Sequence, residues 1–532
     1  MPEALRFLPA GADGMLVELP GLGPVLRLVE HLRAHPLPGM GEIIPAARTL
    51  WIGFDPRRTT RQALAQAVAG LDLSGGAAAP GRLVEIPLRY DGADLADVAA
   101  LLGLSVAEVV ARHRAATFTV AFNGFAPGFS YMVCDDPAFD LPRRPSPRTK
   151  VPAGSVALAG QFCGIYPAEG PGGWQLIGTT DAAMWDLARR PPARLAPGDR
   201  VRFVEAVAYA APGPAPACPP APAPGGLQVI RADRPALFQD AGRPGLFDQG
   251  VGRSGAMDRG AMAAANRAVG NPEAAAVVEV LMGGLELCAV EALTLALAGA
   301  PCAMTLTPPQ GRALPVPAGR AFALDPGDRL SLAPPPCGLR SYLALRGGYA
   351  VAPVLGSAAT DTLARIGPAP IRAGDVLRPA HARAAAVGLY LPAPPALARA
   401  GDLVRLDVLP GPRTDWFTPE AQELLFAQDW DVGASLDRVG IRLQGARPLT
   451  RSESAELASE ATVLGAIQVP HAGQPVLFLA DHPITGGYPV IGVLAPHHIA
   501  RAGQIPPGAR IRFTRLGTFA EEVILLPSGA PS

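Results

Sequence analysis

The chain has 532 residues, more than one hydrophobic core normally accommodates, so we expect several domains. Its 46 basic and 46 acidic residues balance, which leaves no net charge to attract nucleic acid or an anionic membrane surface and argues against both partners. Sixty Gly and sixty Pro interrupt short apolar runs, a pattern typical of turn-rich β structure.

The N-terminus predicts no secretory signal, because no basic segment is followed there by an apolar stretch. The longest apolar run, near residue 292, is broken by Gly and Pro and is too short to span a bilayer. We therefore expect a cytoplasmic protein without a membrane partner. The six cysteines lie far apart without a CxxC pair, which favours neither a disulfide framework nor a metal site.

The first elements predict a small α+β domain over residues 1–80. Short apolar strands alternate there with helical patterns at about 22–35 and 60–72, and Thr60 is a suitable N-cap for the second helix. A second helical pair follows, opened by a capping box of Ser105 and Glu108. The strand-rich remainder predicts a β-barrel over 81–206.

The Pro- and Ala-rich composition of residues 207–226 predicts an extended linker that divides the chain into two halves. Beyond it we expect one barrel over 227–400 and another over 401–532. The fold class predicted is mainly β with α+β, with repeated barrels and a small N-terminal α+β domain.

Two similar stretches of sequence, one in each half, indicate that the same barrel topology occurs more than once in the chain. Gln161 precedes Trp174 in a stretch with a Gly-Gly turn that closes on "PGDRVRF", and Gln474 precedes Tyr488 in a similar stretch that closes on "PGARIRF". The alternative is a chance match in a Gly-rich chain. The similarity predicts that the two Gly-Gly-aromatic turns occupy corresponding positions in the two barrels.

Two loops of the first half carry polar groups. "FNGFAPGFSYM" follows a strand, and its glycines would let backbone N–H groups approach a ligand. The same pattern is equally typical of an ordinary turn lined by aromatic residues. "RRPSPRTKVPAGS" gathers Arg143, Arg144, Arg148 and Lys150, the only lysine of the chain. This loop is typical either of a phosphate or carboxylate clamp or of a solvated basic surface.

Two polar collections stand in the second half. In the first, Asp258 and Asn271 are suited to capping a helix at 259–270, whereas Asp240 and Glu279 have no such duty and are better functional candidates. The second surrounds "GAIQVPHAGQ" and "ADHPITGGYP" and includes Glu460. No GxxxxGK[ST], HExxH or GxSxG motif is present, which excludes a P-loop, a zincin and a nucleophile elbow.

Long motifs in order resemble two known families fused in one chain. "NGFAPGFSYM" and "LPRRPSPRTKVPAGSVALAGQFCGIYPAEGPGGWQLIG" resemble the B component of 5-oxoprolinase, and "FQDAGRPGLFDQGVGRSGAMD", "LRGGYAVAPVLGS", "DRVGIRL" and "LGAIQVPHAGQPVLFLADHPITGGYPVIG" resemble its C component. The resemblance implies cyclophilin-like barrels and a share in the ATP-dependent opening of 5-oxo-L-proline, completed by a separate hydrolase, the A component. A small cyclic amide is the implied substrate, and a homo-oligomer is compatible with the sequence.

On this resemblance we expect a site where the barrel of the first half faces the barrels of the second half. We assign catalytic roles to Asp240, Glu279, Arg148 and His113. We assign substrate or nucleotide binding to Asn123, Phe125, Gly128, Arg144, Lys150, Ser155, Gln161, Tyr166, Glu169, Gln239, Arg243, Ser254, Asn266, Gln468, Gln474, Asp481, His482 and Tyr488. The expected cofactor is ATP with Mg²⁺.

Two alternatives follow from related families. A carboxyltransferase-type component acting on urea or a related amide would need a separate biotin carrier, since the context "PRTK" of the only lysine is not a biotin attachment sequence and covalently attached biotin is not expected. A regulatory inhibitor of a sensor histidine kinase is the other. Ala358, Ala359 and Pro301, and likewise His482 and Val490, depart from residues common in the family, which bears on the substrate.

Overall fold

The computed structural model describes residues 4–72, 81–144, 146, 148–206, 225–388 and 395–525. Residues 73–80, at the predicted end of the first domain, and 207–224 of the predicted linker lie outside the described residues. The described chain contains far more strand than helix, arranged in sheets and barrels, so the predicted fold class is confirmed. Within these ranges no helix has the length and apolar character that crossing a membrane requires.

The N-terminal unit is an antiparallel sheet covered by two helices. Thr60 Oγ1 accepts the N–H of Ala63, so the predicted N-cap is confirmed. Apolar side chains of both helices pack on the sheet in one core. The elements are β1 (Ala4–Pro9), β2 (Gly14–Glu18), α1 (Leu22–Ala34), β3 (Met40–Pro45), β4 (Thr49–Phe54) and α2 (Arg61–Ala69).

The next unit is a seven-stranded barrel, nearly closed by a bridge between Arg89 and Thr179, with two helices packed against it. The predicted capping box is confirmed, since Ser105 Oγ accepts the N–H of Glu108 and the Glu108 carboxylate accepts the N–H of Ser105. The elements are β5 (Leu83–Leu88), α3 (Leu95–Leu102), α4 (Val106–Ala115), β6 (Phe118–Asn123), β7 (Ser130–Val133), β8 (Arg148–Val151), β9 (Ser155–Ala159), β10 (Phe162–Ile165), β11 (Gly170–Gly172), β12 (Gln175–Thr179) and β13 (Arg200–Glu205).

The second half begins with two sheets that share one apolar core, with a helix packed on the outer face of one of them. Asp258 Oδ1 accepts the N–H of Ala261, which confirms it as the cap of that helix. The elements are β14 (Leu227–Ala232), β15 (Ala236–Gln239), α5 (Arg259–Ala268), β16 (Val277–Leu281), β17 (Leu285–Ala289), β18 (Leu293–Gly299), β19 (Met304–Thr307), β20 (Leu314–Val316), β21 (Phe322–Leu324), β22 (Arg329–Leu332), β23 (Arg340–Leu345) and β24 (Val376–Leu377).

The last unit is a closed seven-stranded barrel filled by large apolar side chains, among them the fully buried Trp430. Its final strand leaves the barrel and pairs antiparallel with β1, so the end of the described chain completes the N-terminal sheet. The elements are β25 (Leu403–Pro410), α6 (Pro419–Ala427), β26 (Trp430–Leu436), β27 (Gly440–Gly445), β28 (Glu460–Ala461), β29 (Ala466–Gln468), β30 (Val476–Phe478), β31 (Thr485–Gly486), β32 (Val490–Leu494), α7 (Ile499–Ala502), β33 (Arg510–Arg515) and β34 (Glu522–Leu525).

The two similar stretches of sequence lie in barrels that share one strand order. The first barrel runs β12-β9-β10-β7-β6-β13-β5 and the last runs β32-β29-β30-β27-β26-β33-β25. The "PGDRVRF" strand pairs parallel with β5 as the "PGARIRF" strand does with β25. Each Gly-Gly-aromatic turn leads into the strand, β12 or β32, that pairs with β9 or β29. The predicted correspondence is therefore confirmed.

Candidate functional site

A cavity of about 940 Å³ lies between the first barrel and both units of the second half. Its walls are mixed, with aromatic and aliphatic side chains interrupted by charged groups, the composition expected of a small-molecule site. Five of the residues predicted from the sequence line it: Phe125, Lys150, Glu169, Glu279 and His482. The charged residues that the prediction did not include are Arg340, Asp361, Arg365, Asp437 and Arg438.

The loop after β6 joins the two halves at the cavity edge. Phe125 lines the cavity with a φ of 62°, an uncommon conformation for a non-glycine residue, and its N–H donates to Thr485 Oγ1 at 2.9 Å. The N–H of Gly128, with a φ of 75°, donates to the carbonyl of Gln249. The side chain of Asn123 donates to the carbonyl of Asp248 at 2.9 Å. These predicted residues thus fix the seam between the halves.

The predicted arginine clamp is occupied by a carboxylate of the protein itself. Arg148 donates two hydrogen bonds to buried Asp94, at 2.7 and 2.9 Å, and Arg144 donates to the same carboxylate. Burial acts to raise the pKa of Asp94, but the hydrogen bonds from Arg148 and the N–H of Leu176 hold it below its usual value. Sequence reasoning missed Asp94, and with it the pairing that neutralises both arginines.

Lys150 is the member of that basic loop that reaches the cavity. Its Nζ lies 3.0 Å from Glu169 Oε2, and both side chains are largely exposed, at 69% and 45% of their full accessibility. Such a pair contributes little to stability. Both groups therefore remain accessible to a ligand at the mouth of the cavity.

His113 lies in the core of the first barrel rather than in the cavity. Its ring packs among Phe118, Phe139 and Phe203, and Nδ1 is 2.9 Å from the Tyr90 hydroxyl. Complete burial lowers the pKa of His113 to about 3. The residue is therefore neutral at physiological pH, and its position gives the predicted catalytic role no support.

Replacing His113 with Leu is expected to weaken the pH dependence of stability. Because the pKa falls from about 6.5 in the unfolded chain to about 3 in the folded one, the unfolded state binds the proton first and stability is lost as pH falls below about 6.5. Between pH 7 and pH 5 this amounts to about 2 kcal/mol. Urea unfolding of both proteins at the two pH values measures the difference; an equal loss in the variant would contradict the assignment.

A buried charge network joins the two units of the second half beside the cavity. Arg438 donates to Asp481 at 2.9 and 3.0 Å and to Glu279 at 2.6 Å, and all three side chains are at most 5% exposed. Arg340 Nε lies 3.5 Å from the same Glu279 carboxylate. Glu279, predicted to be catalytic, is thus held by two arginines at the cavity wall.

Asp481 is the second carboxylate of this network. It accepts the Ser254 hydroxyl at 2.6 Å and both the N–H and the hydroxyl of Thr362 at 2.8 Å. Burial acts to raise its pKa, but the charge and hydrogen bonds of Arg438 hold it below the usual value. Ser254 and Asp481, both predicted from the sequence, therefore position Arg438 and the loop that contains Thr362.

That loop places Asp361 at the cavity. The carboxyl is 3% exposed, and Oδ1 accepts the N–H groups of Leu363 and Ala364, while Oδ2 has no hydrogen bond to any described residue. Burial, and then the charge of Asp481, raise the pKa of Asp361 to about 7, against the N–H of Ala364 and the charges of Arg243 and Arg438. Asp361 can therefore exchange a proton near neutral pH.

Arg365, on the same loop, is a cation without a partner among the described residues. It is exposed, lines the cavity, and has a φ of 55°. Backbone strain of this kind costs about 1–3 kcal/mol and concentrates at functional sites. The loop therefore holds a proton-exchanging carboxyl and a free guanidinium close together on one wall.

Asp240 and its neighbours stabilise this loop from behind. Asp240 accepts hydrogen bonds from Gly242 N–H, the Ser357 hydroxyl and Ala358 N–H, at 2.6–2.8 Å. Buried Gln239 and Arg243 donate to the carbonyls of Thr360 and Ala359. None of the three lines the cavity. Their contacts are those of residues that position the loop carrying Asp361.

The remaining predicted residues have local structural partners. Ser155 and Asn266 donate to backbone carbonyls of Pro152, Glu273 and Ala275, and Tyr166 is buried in an aromatic cluster. Gln468 donates to the carbonyl of Tyr488, Gln474 accepts the N–H of Gly445, and Tyr488 itself packs against His471. Gln161 is exposed on the turn after β9. None of these lines the cavity.

One cluster among the described residues brings three metal-ligating side chains together, Asp407, His497 and His498. His497 Nε2 is 3.1 Å from Asp407 Oδ2, but His498 Nδ1 already accepts the N–H of Asp407 at 2.8 Å. That lone pair is engaged within the protein. The cluster lies outside the cavity and is explained by its own hydrogen bonds.

Comparison with known proteins matches both halves. The family model of carboxyltransferase domain subdomains A and B matches residues 249–515, and that of subdomains C and D matches 5–195. The C component of 5-oxoprolinase from Escherichia coli (strain K12) is 34% identical over 297 residues, 54% of this chain and 91% of that protein. The B component of 5-oxoprolinase from Bacillus subtilis (strain 168) is 35% identical over 203 residues, 34% of this chain and 82% of that protein.

A solved structure matches nearly the whole chain. The crystal structure of TTHA0988 superposes with a TM-score of 0.81 at 38% sequence identity, covering 94% of this chain and 99% of that one. The fold of both halves and their arrangement in one chain are therefore similar to those of an experimental structure.

Proposed function

Because the chain belongs to the carboxyltransferase-domain family and is similar to the B and C components of 5-oxoprolinase, we propose that it is a fusion of these two components in an ATP-dependent 5-oxoprolinase. The observation that carries the proposal is the cavity between the halves, where Asp361 and Arg365 stand on one loop. The substrate proposed is 5-oxo-L-proline, and the separate A component, a hydrolase, completes the reaction.

The chemistry requires activation because a five-membered lactam is an unactivated amide. In the proposed step the lactam oxygen attacks the γ-phosphorus of ATP while the lactam N–H proton passes to Asp361. The new O–P bond forms as the P–O bond to ADP breaks, which leaves an O-phosphorylated cyclic imidate. On the A component, water then adds to the imidate carbon, and the C–N bond breaks, which opens the ring and gives γ-glutamyl phosphate. A second water attacks the carbonyl carbon of this acyl phosphate, and phosphate leaves with the original lactam oxygen, giving glutamate.

Each group of the cavity has a defined part in this step. A carboxylate with a pKa of about 7 is matched to accept a proton at neutral pH. Arg365 offers a free guanidinium for the substrate carboxylate, to which arginine binds in a bidentate fashion. The network of Arg438, Glu279 and Asp481 keeps the wall rigid and positions the loop.

Replacing Arg365 with Gln should raise the KM for 5-oxoproline by about 10- to 100-fold, the loss of one charge-assisted contact. The kcat should change less, because this contact is made in the ground state and the transition state alike. Steady-state kinetics with the A component present measures both constants. An unchanged KM would remove Arg365 from the substrate site, and Arg312→Gln, an exposed arginine outside the cavity, is the matched control.

Replacing Lys150 with Arg should leave turnover within about twofold, since the charge opposite Glu169 is kept at an exposed position. The same assay measures it. Complete loss of activity would assign chemistry to the amine itself, which an arginine cannot replace.

The experiment that tests the function mixes the purified chain with a 5-oxoprolinase A component, ATP, Mg²⁺ and 5-oxoproline, and measures ADP and glutamate. We expect both products in equal amounts, and neither when 5-oxoproline is omitted. ATP turnover that does not respond to 5-oxoproline, with no glutamate formed, would overturn the proposal.

Carboxyl transfer is the second candidate, because the matching family models are described as carboxyltransferase domains. It would require a separate biotinylated partner. Incubation with free carboxybiotin and urea distinguishes the two: carboxylated urea without ATP consumption would favour this candidate over lactam phosphorylation.

A further inference from the structure

A second concave surface, about 430 Å³, lies between the N-terminal sheet and the second half. Trp51 and Phe247 form an aromatic wall, with ring centroids 6.5 Å apart in an edge-on arrangement. Arg253, Arg259 and Asp13 are among the charged residues that line it. Nothing in the lactam step described above uses these groups.

The two arginines are cations without ion-pair partners among the described residues. Arg253 and Arg259 both retain solvent-exposed surface, but the guanidinium of Arg259 is partly desolvated by its surroundings. This desolvation, and then the nearby charge of Arg253, lower the pKa of Arg259. The carboxylate that acts on Arg259 from outside the cleft, Asp240, is already taken up by Ser357 and two backbone N–H groups. A bound anion would relieve this repulsion, and arginine pairs are suited to phosphate oxygens.

Carboxylates line the same cleft. Asp13 is exposed, and Glu42 accepts the N–H of Gly245 with Oε1 only. Two carboxylates would oppose a bare anion, but they are the ligands that Mg²⁺ takes together with phosphate oxygens. The combination of paired arginines, carboxylates and an aromatic wall therefore fits a magnesium-bound nucleotide better than a simple anion.

The cleft adjoins the large cavity. His482 lines both, and its Nδ1 lies 2.8 Å from the carbonyl of Pro483, which leaves Nε2 without a hydrogen bond to any described residue. Ser254, on the cleft side, is two residues from Gly252 on the cavity side. The end of a bound ligand that is nearest the lactam cavity would therefore lie at His482.

From this arrangement we infer that the cleft is the Mg–ATP site of the proposed reaction, with the phosphates on Arg253 and Arg259 and the base against Trp51. The inference rests on the proposed function for the identity of the nucleotide. It places ATP and the cyclic amide in separate, adjoining sites that share His482.

The test is a titration of the full chain with ATP and Mg²⁺, followed by intrinsic tryptophan fluorescence. We expect a saturable change that is lost in Trp51→Phe, and an apparent Kd raised about tenfold or more in Arg253→Gln and in Arg259→Gln. Arg312→Gln, an exposed arginine outside both concave surfaces, should bind as the parent does. Circular dichroism verifies that each variant is folded.

The inference is overturned if the parent chain binds no ATP, if the signal persists in Trp51→Phe, or if both arginine variants bind ATP as the parent does. Its failure is distinguishable from that of the function. If glutamate is formed but both arginine variants bind ATP normally, the proposed function holds and the cleft is not the ATP site. If ATP binds in the cleft but no glutamate is formed, the cleft is a nucleotide site and the proposed function is wrong.

Discussion

Replacing Asp361 with Asn is expected to reduce 5-oxoproline-dependent ATP turnover by about 10²- to 10⁴-fold, the usual contribution of a general base. Asn retains an oxygen for the N–H groups of Leu363 and Ala364, so the loop should keep its shape. It lacks a group that can accept the lactam proton. Turnover in the presence of the A component, with circular dichroism as the folding check, measures the effect.

The pH profile separates a catalytic from a structural role for Asp361. Since the base must be deprotonated and its pKa is raised to about 7, the parent's kcat/KM should rise with pH through about 7. Asp481, Arg243 and Arg438 are the charged groups that act on it. The residual activity of Asp361→Asn should lack this rise, and Asp361→Glu should restore it. A variant that keeps the same acid limb would exclude Asp361 as the base.

Replacing Arg438 with Gln is expected to lower the free energy of unfolding by about 3–5 kcal/mol, because it leaves buried Asp481 without its cation and buried Glu279 with Arg340 alone. Glu279 and Asp481 are at most 4% exposed and both depend on this guanidinium. Since Arg438 holds the pKa of Asp481 below its usual value, its loss should raise that pKa. The destabilisation should therefore be smaller at pH 5 than at pH 8.

Urea unfolding of the parent and variant at both pH values measures this loss. Arg442→Gln is the matched control, because Arg442 is exposed on β27, the strand that follows the turn containing Arg438, and should change stability by no more than about 0.5 kcal/mol. A cost for Arg438→Gln no greater than that of the control would show that the network contributes nothing to joining the two units.

Local patterns predicted the fold because they are set by nearby residues. Thr60, Ser105 with Glu108, and Asp258 cap helices through contacts three residues apart, which a sequence displays directly. The repeated Gly-Gly-aromatic turns marked the same barrel plan in both halves. The cavity was expected at the meeting of the barrels, and Phe125, Lys150, Glu169, Glu279 and His482 line it.

The charged centre of the site was not predicted, because its charges are defined by long-range packing. Asp94 reaches Arg148 from 54 residues away, and Arg438 reaches Glu279 from 159. The motif "DRVGIRL" contained Arg438, and "GSAAT" ends just before Asp361, so both stretches carried a signal. Nothing in either showed that Asp361 is buried against Asp481, which is what shifts its pKa.

The fate of the lactam oxygen tests the central claim most directly. The full chain is mixed with the A component, ATP, Mg²⁺ and 5-oxoproline labelled with ¹⁸O at the ring carbonyl, and the products are analysed by mass spectrometry. If the carbonyl oxygen is phosphorylated, the label must appear in inorganic phosphate, one atom for each glutamate formed. Label retained wholly in glutamate, with unlabelled phosphate, would contradict the account.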